Sequence, residues 1–117
     1  MTAQRYHIII DITGVSEQKL TEAKGLEKFL SELPKVIGMR VLHPPVVAEG
    51  IPENPGLSGF VIIDYSHISI HTFTKSNQVL VDIFSCKIYG QEEAVGAVLK
   101  YFQVPRSAAS VQQISWA

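Results

Sequence analysis

Four side chains capable of nucleophilic or acid–base chemistry lie close together in the sequence. Ser58, Ser66, His71 and Cys86 all fall within residues 56–87, on segments that read as β-strands. An imidazole can remove or return a proton near neutral pH and so activate a neighbouring hydroxyl. Each residue alone also suits an ordinary structural role, as a turn serine, a hydrogen-bonded strand histidine or a small buried cysteine. Only their combination points to catalysis.

Alternating apolar and polar residues predict the strands that would carry these side chains. Residues 6–12 are rich in β-branched and aromatic types, and three strand-like runs follow one another in the centre of the chain. Lys75, Ser76 and Asn77 are typical of a turn between the last two of these runs. The six predicted strands cover residues 6–12, 38–42, 57–63, 67–73, 78–85 and 108–116.

Two helices are predicted from apolar residues spaced three and four positions apart. The first covers residues 17–33, with Ser16 as its N-cap. Gly25 weakens the middle of this helix, and Pro34 is expected to end it. The second helix covers residues 91–102, with two glutamates in its first turn.

The segment 43–56 interrupts this pattern with four prolines and two glycines, which predict a long, stiff loop with a functional role. The order of elements predicts an α+β fold, a two-layer α/β sandwich with a mainly antiparallel sheet and helices on one face. The other face of the sheet would be apolar and uncovered. A second copy of the chain would cover it, so we expect a homodimer.

Length and composition set limits on the function. The 117 residues suit one domain, and 46% hydrophobic against 18% charged residues is ordinary globular usage. A net charge of -1 without a basic run argues against a nucleic-acid partner. Residues 1–12 lack the apolar run and cleavage site typical of a signal peptide, and no stretch approaches the ~18 apolar residues needed to cross a bilayer, so we expect a cytoplasmic protein. Cys86 is the only cysteine, which excludes an intrachain disulfide or a cysteine zinc cluster, and we predict no metal site.

Three segments in the centre of the chain carry a family resemblance: SGFVII, SHISIHTF and VDIFSCK. With Ser66, His71 five residues later and Cys86 twenty residues later, they resemble the processing region of bacterial and archaeal S-adenosylmethionine decarboxylases. The resemblance extends more weakly to YHIIID, LPKVIGM and the second helix. It implies a proenzyme that makes its own cofactor and decarboxylates a small, amino-acid-like substrate.

In that family the serine matching Ser66 attacks the carbonyl of the preceding residue, here Tyr65. The resemblance therefore implies self-cleavage of a single domain, residues 1–117, into residues 1–65 and 66–117. Ser66 would become a pyruvoyl group, which forms a Schiff base with the substrate amine and withdraws electrons as carbon dioxide leaves. Since an ordinary amide is inert, we expect a strained and hydrogen-bonded Tyr65–Ser66 peptide.

The resemblance also implies roles for the other three side chains. His71 would assist the proton transfers of cleavage, Ser58 would stabilise the developing charge, and Cys86 would donate a proton to the decarboxylated substrate. Simple alternation places Ser66 and His71 on opposite faces of the sheet. We therefore expect a turn or bulge at His67 that brings them to the same side.

Two residues depart from the family pattern. Tyr65 stands where the family usually has Glu, which matters little because the attacked group is a backbone carbonyl. Lys75 stands where the family usually has a Glu that binds the ribose of S-adenosylmethionine, and lysine has donors only. Residues 43–57 also contain no Phe to stack on adenine. Lys75 and Asp64 are then the candidate substrate-binding residues.

Three functions stay open from the sequence. The first is S-adenosylmethionine decarboxylation in polyamine (spermidine) biosynthesis. The second is pyruvoyl-dependent decarboxylation of arginine or ornithine, whose cationic side chain would need a carboxylate; the candidates are Asp64, Asp82, Glu49 and Glu53. The third is a non-catalytic regulatory paralogue, although the intact Ser66, His71 and Cys86 argue against it.

Overall fold

The protein is a six-stranded antiparallel sheet with three α-helices, described by a computed structural model over residues 4–116. The strands are β1 (Tyr6–Ile12), β2 (Val41–Ile51), β3 (Asn54–Ile63), β4 (Ser66–Phe73), β5 (Gln78–Ser85) and β6 (Ala109–Ile114). The helices are α1 (Glu17–Thr21), α2 (Ala23–Val36) and α3 (Gln91–Phe102). The strand order is β2-β3-β4-β5-β1-β6. The predicted two-layer α+β architecture is confirmed.

One face of the sheet forms the core with the helices. Alternate residues of the central strands are buried on this side, as their period of two requires. They include Ile8, Ile10, Ile12, Val61, Ile63, Ile68, Ile70, Val79, Val81 and Ile83. Gly59 lies on the same side, where an added Cβ would stand 2.6 Å from Leu30 of α2. A glycine is therefore needed at this position for α2 to approach the sheet.

The opposite side, here called the open face, is formed by the remaining alternate residues. It comprises His7, Ile9, Asp11, Ser58, Phe60, Ile62, His67, Ser69, His71, Leu80, Asp82 and Phe84. Phe60 and Ile62 expose 43% and 44% of their surface. Within residues 4–116, no helix covers this face, and none is long and apolar enough to cross a membrane.

The predicted first helix is in fact two helices. Ser16 caps α1 as predicted, accepting a hydrogen bond from Lys19 N. The break falls at Glu22 rather than at Gly25, which is packed so closely that an added Cβ would lie 2.9 Å from both Glu22 Oε1 and Tyr101 Oη. The prediction that Pro34 ends the helix is wrong, because Pro34 lies inside the last turn of α2. Pro34 cannot donate a hydrogen bond to the Leu30 carbonyl and its ring crowds that carbonyl, and the helix ends two residues later, at Val36.

The predicted proline-rich loop is also wrong. Residues 43–56 belong mostly to β2 and β3, which form a long hairpin around Pro52 and Glu53. β2 is an edge strand, and its pairing with β3 shifts register between His43 and Val46. Prolines are accommodated at such edges and bulges because no second neighbour needs their missing N–H groups. The predicted strand 38–42 overlaps β2 only at Val41 and Leu42, because β2 begins later and runs on through the prolines. The remaining strands and the second predicted helix match the prediction closely.

Candidate functional site

The Tyr65–Ser66 peptide lies at a tight connection between β3 and β4. Ile63 and Ser66 are directly paired, so Asp64 and Tyr65 form a two-residue turn. Ser66 has φ +146°, a conformation that residues with a Cβ rarely adopt. Strained backbone of this kind persists only when the surrounding structure fixes it. The predicted strain is therefore present at the predicted position.

Two neighbouring segments hold this turn. Arg40 N donates a hydrogen bond of 3.1 Å to Asp64 Oδ1, Asp64 N donates one of 2.9 Å to Arg40 O, and Arg40 Nε lies 3.5 Å from Asp64 Oδ2. On the other side, Cys86 N donates to Tyr65 O at 2.9 Å, and Cys86 Sγ lies 3.4 Å from the same oxygen. The carbonyl that Ser66 would attack thus receives two donors from Cys86, whose side chain is exposed.

A buried serine that sequence analysis overlooked fixes the position of Cys86. Ser85 is fully buried, and its hydroxyl accepts a hydrogen bond from Lys87 N (2.9 Å) and donates one to Lys87 O (2.8 Å). Cys86 lies between these two residues, so the hydroxyl closes the turn that presents its thiol. The sequence does carry one signal for it. Ser85 stands where the alternate buried series Val79, Val81, Ile83 would continue with another apolar residue.

Ser58 and His71 form a second polar pair, on the open face. They lie directly opposite each other on β3 and β4, and Ser58 Oγ is 2.8 Å from His71 Nδ1. The strand register alone brings these side chains together, thirteen residues apart in the sequence. The sequence analysis named both residues but did not predict this contact between them.

The cleavage junction at Ser66 and the Ser58–His71 pair do not meet within one chain. Ser66 and His71 are five residues apart on one strand, or about 17 Å at ~3.3 Å per residue. The bulge expected at His67 is absent, because the pairing of β4 with both β3 and β5 runs without a register shift from Ser66 to His71. Hydrogen bonding on both sides of β4 leaves no room for an extra residue. By alternation Ser66 belongs with the helix-covered side, opposite the side of His71.

A row of aromatic rings crosses the open face beside the cleavage junction. His67, the residue after Ser66, stacks on Phe60 and on Phe84, with ring centroids 5.3 and 5.8 Å apart. Phe84 meets the edge of His7, and His7 stacks on Trp116 at 6.0 Å. The row ends at Trp116, which exposes 49% of its surface.

Two of the four candidate carboxylates, Asp64 and Asp82, have side-chain partners within the chain, and Lys75 has a backbone partner. Asp64 is engaged by Arg40, and Asp82 Oδ1 lies 2.8 Å from His7 Nε2. Lys75 Nζ donates to Glu53 O at 3.1 Å, in the turns at the far end of the sheet from Ser66. Glu49 lines a cavity at that same end, with Glu17 and Thr21.

Tyr89, three residues after Cys86, shows the clearest electrostatic effect near the site. Burial, and next the negative charge of Asp82, raise the pKa of its phenol far above the ordinary value. The phenol therefore stays protonated and donates to Ile83 O at 3.1 Å. This hydrogen bond fastens the segment after Cys86 to β5.

The fold of this chain matches that of a solved structure. The crystal structure of the adenosylmethionine decarboxylase from Aquifex aeolicus VF5 has the same fold, with a TM-score of 0.78 over 97% of this chain and 91% of that one, at 21% sequence identity. The model of the S-adenosylmethionine decarboxylase family matches residues 6–113. The chain belongs to the S-adenosylmethionine decarboxylase family.

Curated relatives agree with this assignment. An S-adenosylmethionine decarboxylase proenzyme of Clostridium botulinum (strain Langeland) is 32% identical over 97 residues, which is 81% of this chain and 79% of that protein. A proenzyme of the same name from Methanococcus maripaludis (strain C5) is 31% identical over 80 residues, or 68% and 63% of the two chains. The resemblance inferred from the sequence is confirmed.

Proposed function

We propose that this chain is an S-adenosylmethionine decarboxylase proenzyme that cleaves itself between Tyr65 and Ser66. The observation that carries the proposal is the junction itself: a serine with φ +146° follows a carbonyl that accepts hydrogen bonds from Cys86. A donor aimed at a carbonyl oxygen stabilises the negative charge that develops there during attack. Family membership supports the same reading.

Cleavage would proceed in balanced steps on the chain's own atoms. Ser66 Oγ adds to the Tyr65 carbonyl carbon as its proton leaves, and the C–N bond breaks to give an ester and a free Ser66 amine. Loss of the Ser66 Cα proton and of the Cβ–O bond then releases the Tyr65 carboxylate and leaves dehydroalanine. Water hydrolyses the imine form of dehydroalanine, ammonia leaves, and a pyruvoyl group remains on residues 66–117.

The residues around Ser66 fit a pyruvoyl group at this position. An exposed thiol stands next to the junction, with Cys86 Sγ 3.4 Å from the carbonyl oxygen of the Tyr65–Ser66 peptide. When formed, a pyruvoyl group supplies a carbonyl that accepts electrons during decarboxylation of an amine. Cys86 Sγ would return a proton to the carbon that loses carbon dioxide.

The separation of the two polar groups supports a homodimer. Ser58 and His71 belong to the open face, about 17 Å along the strand from Ser66. Two open faces packed together lie about 10 Å apart, and a two-fold axis that runs between them, across the strands and level with Ser69, places position 71 of one copy opposite position 66 of the other. The exposed Phe60 and Ile62 would be buried by this contact. We propose that each copy supplies Ser58 and His71 to the junction of the other.

The carboxylates favour S-adenosylmethionine over arginine or ornithine. A cationic side chain needs a carboxylate near Ser66, but Asp64 is paired with Arg40 and Asp82 with His7. The aromatic row that begins at His67 offers instead a stacking surface suited to a nucleobase or a sulfonium cation. This would compensate for the missing Phe in residues 43–57. Polyamine biosynthesis, a cytoplasmic location and the absence of a nucleic-acid partner remain predictions from the sequence.

The test is to offer S-adenosylmethionine, arginine, ornithine and lysine separately to cleaved protein and to measure released carbon dioxide. We expect turnover of S-adenosylmethionine alone. Release of carbon dioxide only from arginine or ornithine would instead assign the second function, and cleaved protein inactive on all four would refute both substrates. The Ser66→Ala protein, which cannot form a pyruvoyl group, is the matched control for non-enzymatic release.

A further inference from the structure

Lys87 touches every segment that holds the cleavage junction. Its Nζ lies 5.2 Å from the centroid of the Tyr65 ring and donates a hydrogen bond of 3.2 Å to Gly38 O. Its backbone N and O are both bonded to the buried Ser85 hydroxyl. Lys87 is therefore held at both ends. The Ser85 hydroxyl binds its backbone, and its ammonium group lies between the α2–β2 connection and the Tyr65 ring.

We propose that Lys87 is a positioning residue for self-cleavage: its ammonium group holds the Tyr65 ring and thereby keeps the strained Tyr65–Ser66 peptide in place. The inference rests on the proposed self-cleavage. The backbone of the turn is fixed by Arg40 and Cys86, whereas Tyr65 itself is 40% exposed. A cation over the face of that ring restrains the one residue of the junction whose side chain points into solvent.

The expected effect follows from the strength of such contacts. Cation–π contacts at exposed sites are modest, so removing the charge should slow cleavage about two- to fivefold rather than abolish it. A loss of Cys86 N–H donation would have a much larger effect, because that group touches the reacting carbonyl. Lys87 does not touch it and acts only through Tyr65.

The first measurement is the rate of cleavage after cell-free synthesis, followed by the denatured mass of samples taken over time. Lys87→Met keeps the apolar stem and should slow cleavage about two- to fivefold. Lys87→Arg keeps the cation and should retain the parent rate. Lys100→Met, an exposed lysine at the end of α3, is the matched control and should also retain it. A Lys87→Met rate equal to that of Lys100→Met would overturn the proposal.

The second measurement separates positioning from general loss of structure. In a Tyr65→Leu background there is no ring for the cation to hold, so adding Lys87→Met should change the rate no further. The same slowing in both backgrounds would show that Lys87 acts by another route and would also overturn the proposal. Thermal melting of each uncleavable Ser66→Ala version checks that the fold is retained. If the parent chain itself is not cleaved, the proposed function fails, and this inference fails with it.

Discussion

The two polar groups at either end of β4 are held in place in different ways. At the start of the strand, backbone groups of Arg40 and Cys86 fix a strained turn before Ser66. Five residues later, Ser58 and His71 meet only because the strand register places them opposite each other on the open face. The first group is complete within one chain. The second is well formed but lies about 17 Å along β4 from the junction of its own chain.

This difference distinguishes the strained junction, which one chain forms by itself, from the proton transfers, which a second copy would add. Strain and a polarised carbonyl lower the barrier to attack but do not move protons. The imidazole that would move them is some 17 Å away in the same chain. We infer that an isolated chain would be primed yet slow to cleave, and that pairing two copies would supply the missing proton transfers.

Removal of the imidazole is expected to have the largest effect. His71→Ala should slow cleavage by about 10²- to 10⁴-fold, the usual contribution of a general acid–base group. Ser58→Ala, which leaves the imidazole in place, should have a smaller effect. The appearance of residues 66–117 by denatured mass measures both. Cleavage of His71→Ala at the parent rate would remove the histidine from the mechanism.

Mixing two inactive variants tests whether the histidine comes from a second copy. Ser66→Ala chains retain His71, and His71→Ala chains retain a cleavable junction. Co-expressed in equal amounts, they should pair so that about half of the His71→Ala chains are cut, since a two-fold interface exchanges residues reciprocally. Each variant expressed alone is the control. No cleavage in a mixture that forms mixed dimers would place both groups in one chain.

Cys86→Ala should distinguish cleavage from turnover. The backbone N–H that donates to Tyr65 O remains in this variant, so cleavage should stay within about tenfold of the parent. Loss of the thiol should reduce correct decarboxylation by about a hundredfold or more, because no proton donor remains at the substrate carbon. Fragment mass and the decarboxylated amine product are measured on the same sample. Unchanged turnover would exclude the thiol as the donor.

The smallest effect is expected at Lys75, in the turn after β4, which the proposed pairing of two copies would bring towards the junction of the other copy. If the ribose of S-adenosylmethionine is bound there, Lys75→Glu adds a charged acceptor for its hydroxyls and should lower the KM about tenfold. Lys75→Gln, which removes the charge without adding a carboxylate, is the control. An equal KM for the glutamate and glutamine variants would place ribose binding elsewhere.

Regular alternation made most of the sheet predictable, and the exceptions have physical causes. The core strands β1, β4 and β5 are buried on one face only, so their period of two is clear in the sequence. β2 carries prolines that suggest a loop, but an edge strand has only one neighbour to satisfy. Pro34 was misread for a similar reason, because a helix can include proline in its last turn.

The residues of the site could be predicted from the sequence, but their arrangement in space could not. Ser66, His71 and Cys86 could be chosen because a family resemblance fixed their spacing, whereas the distance from Ser66 to His71 depends on unbroken strand pairing. Ser85 and Lys87 escaped notice because their contacts depend on the shape of a turn. That shape is set by tertiary hydrogen bonds and leaves little trace in local sequence.

The central claim is that Ser66 cuts the chain, and the denatured mass of the purified protein tests it most directly. The parent chain should give residues 1–65 and 66–117, the latter lighter by one ammonia than a fragment that begins with serine. Ser66→Ala should remain intact under identical incubation. A parent chain that stays as intact as Ser66→Ala after prolonged incubation would contradict the account.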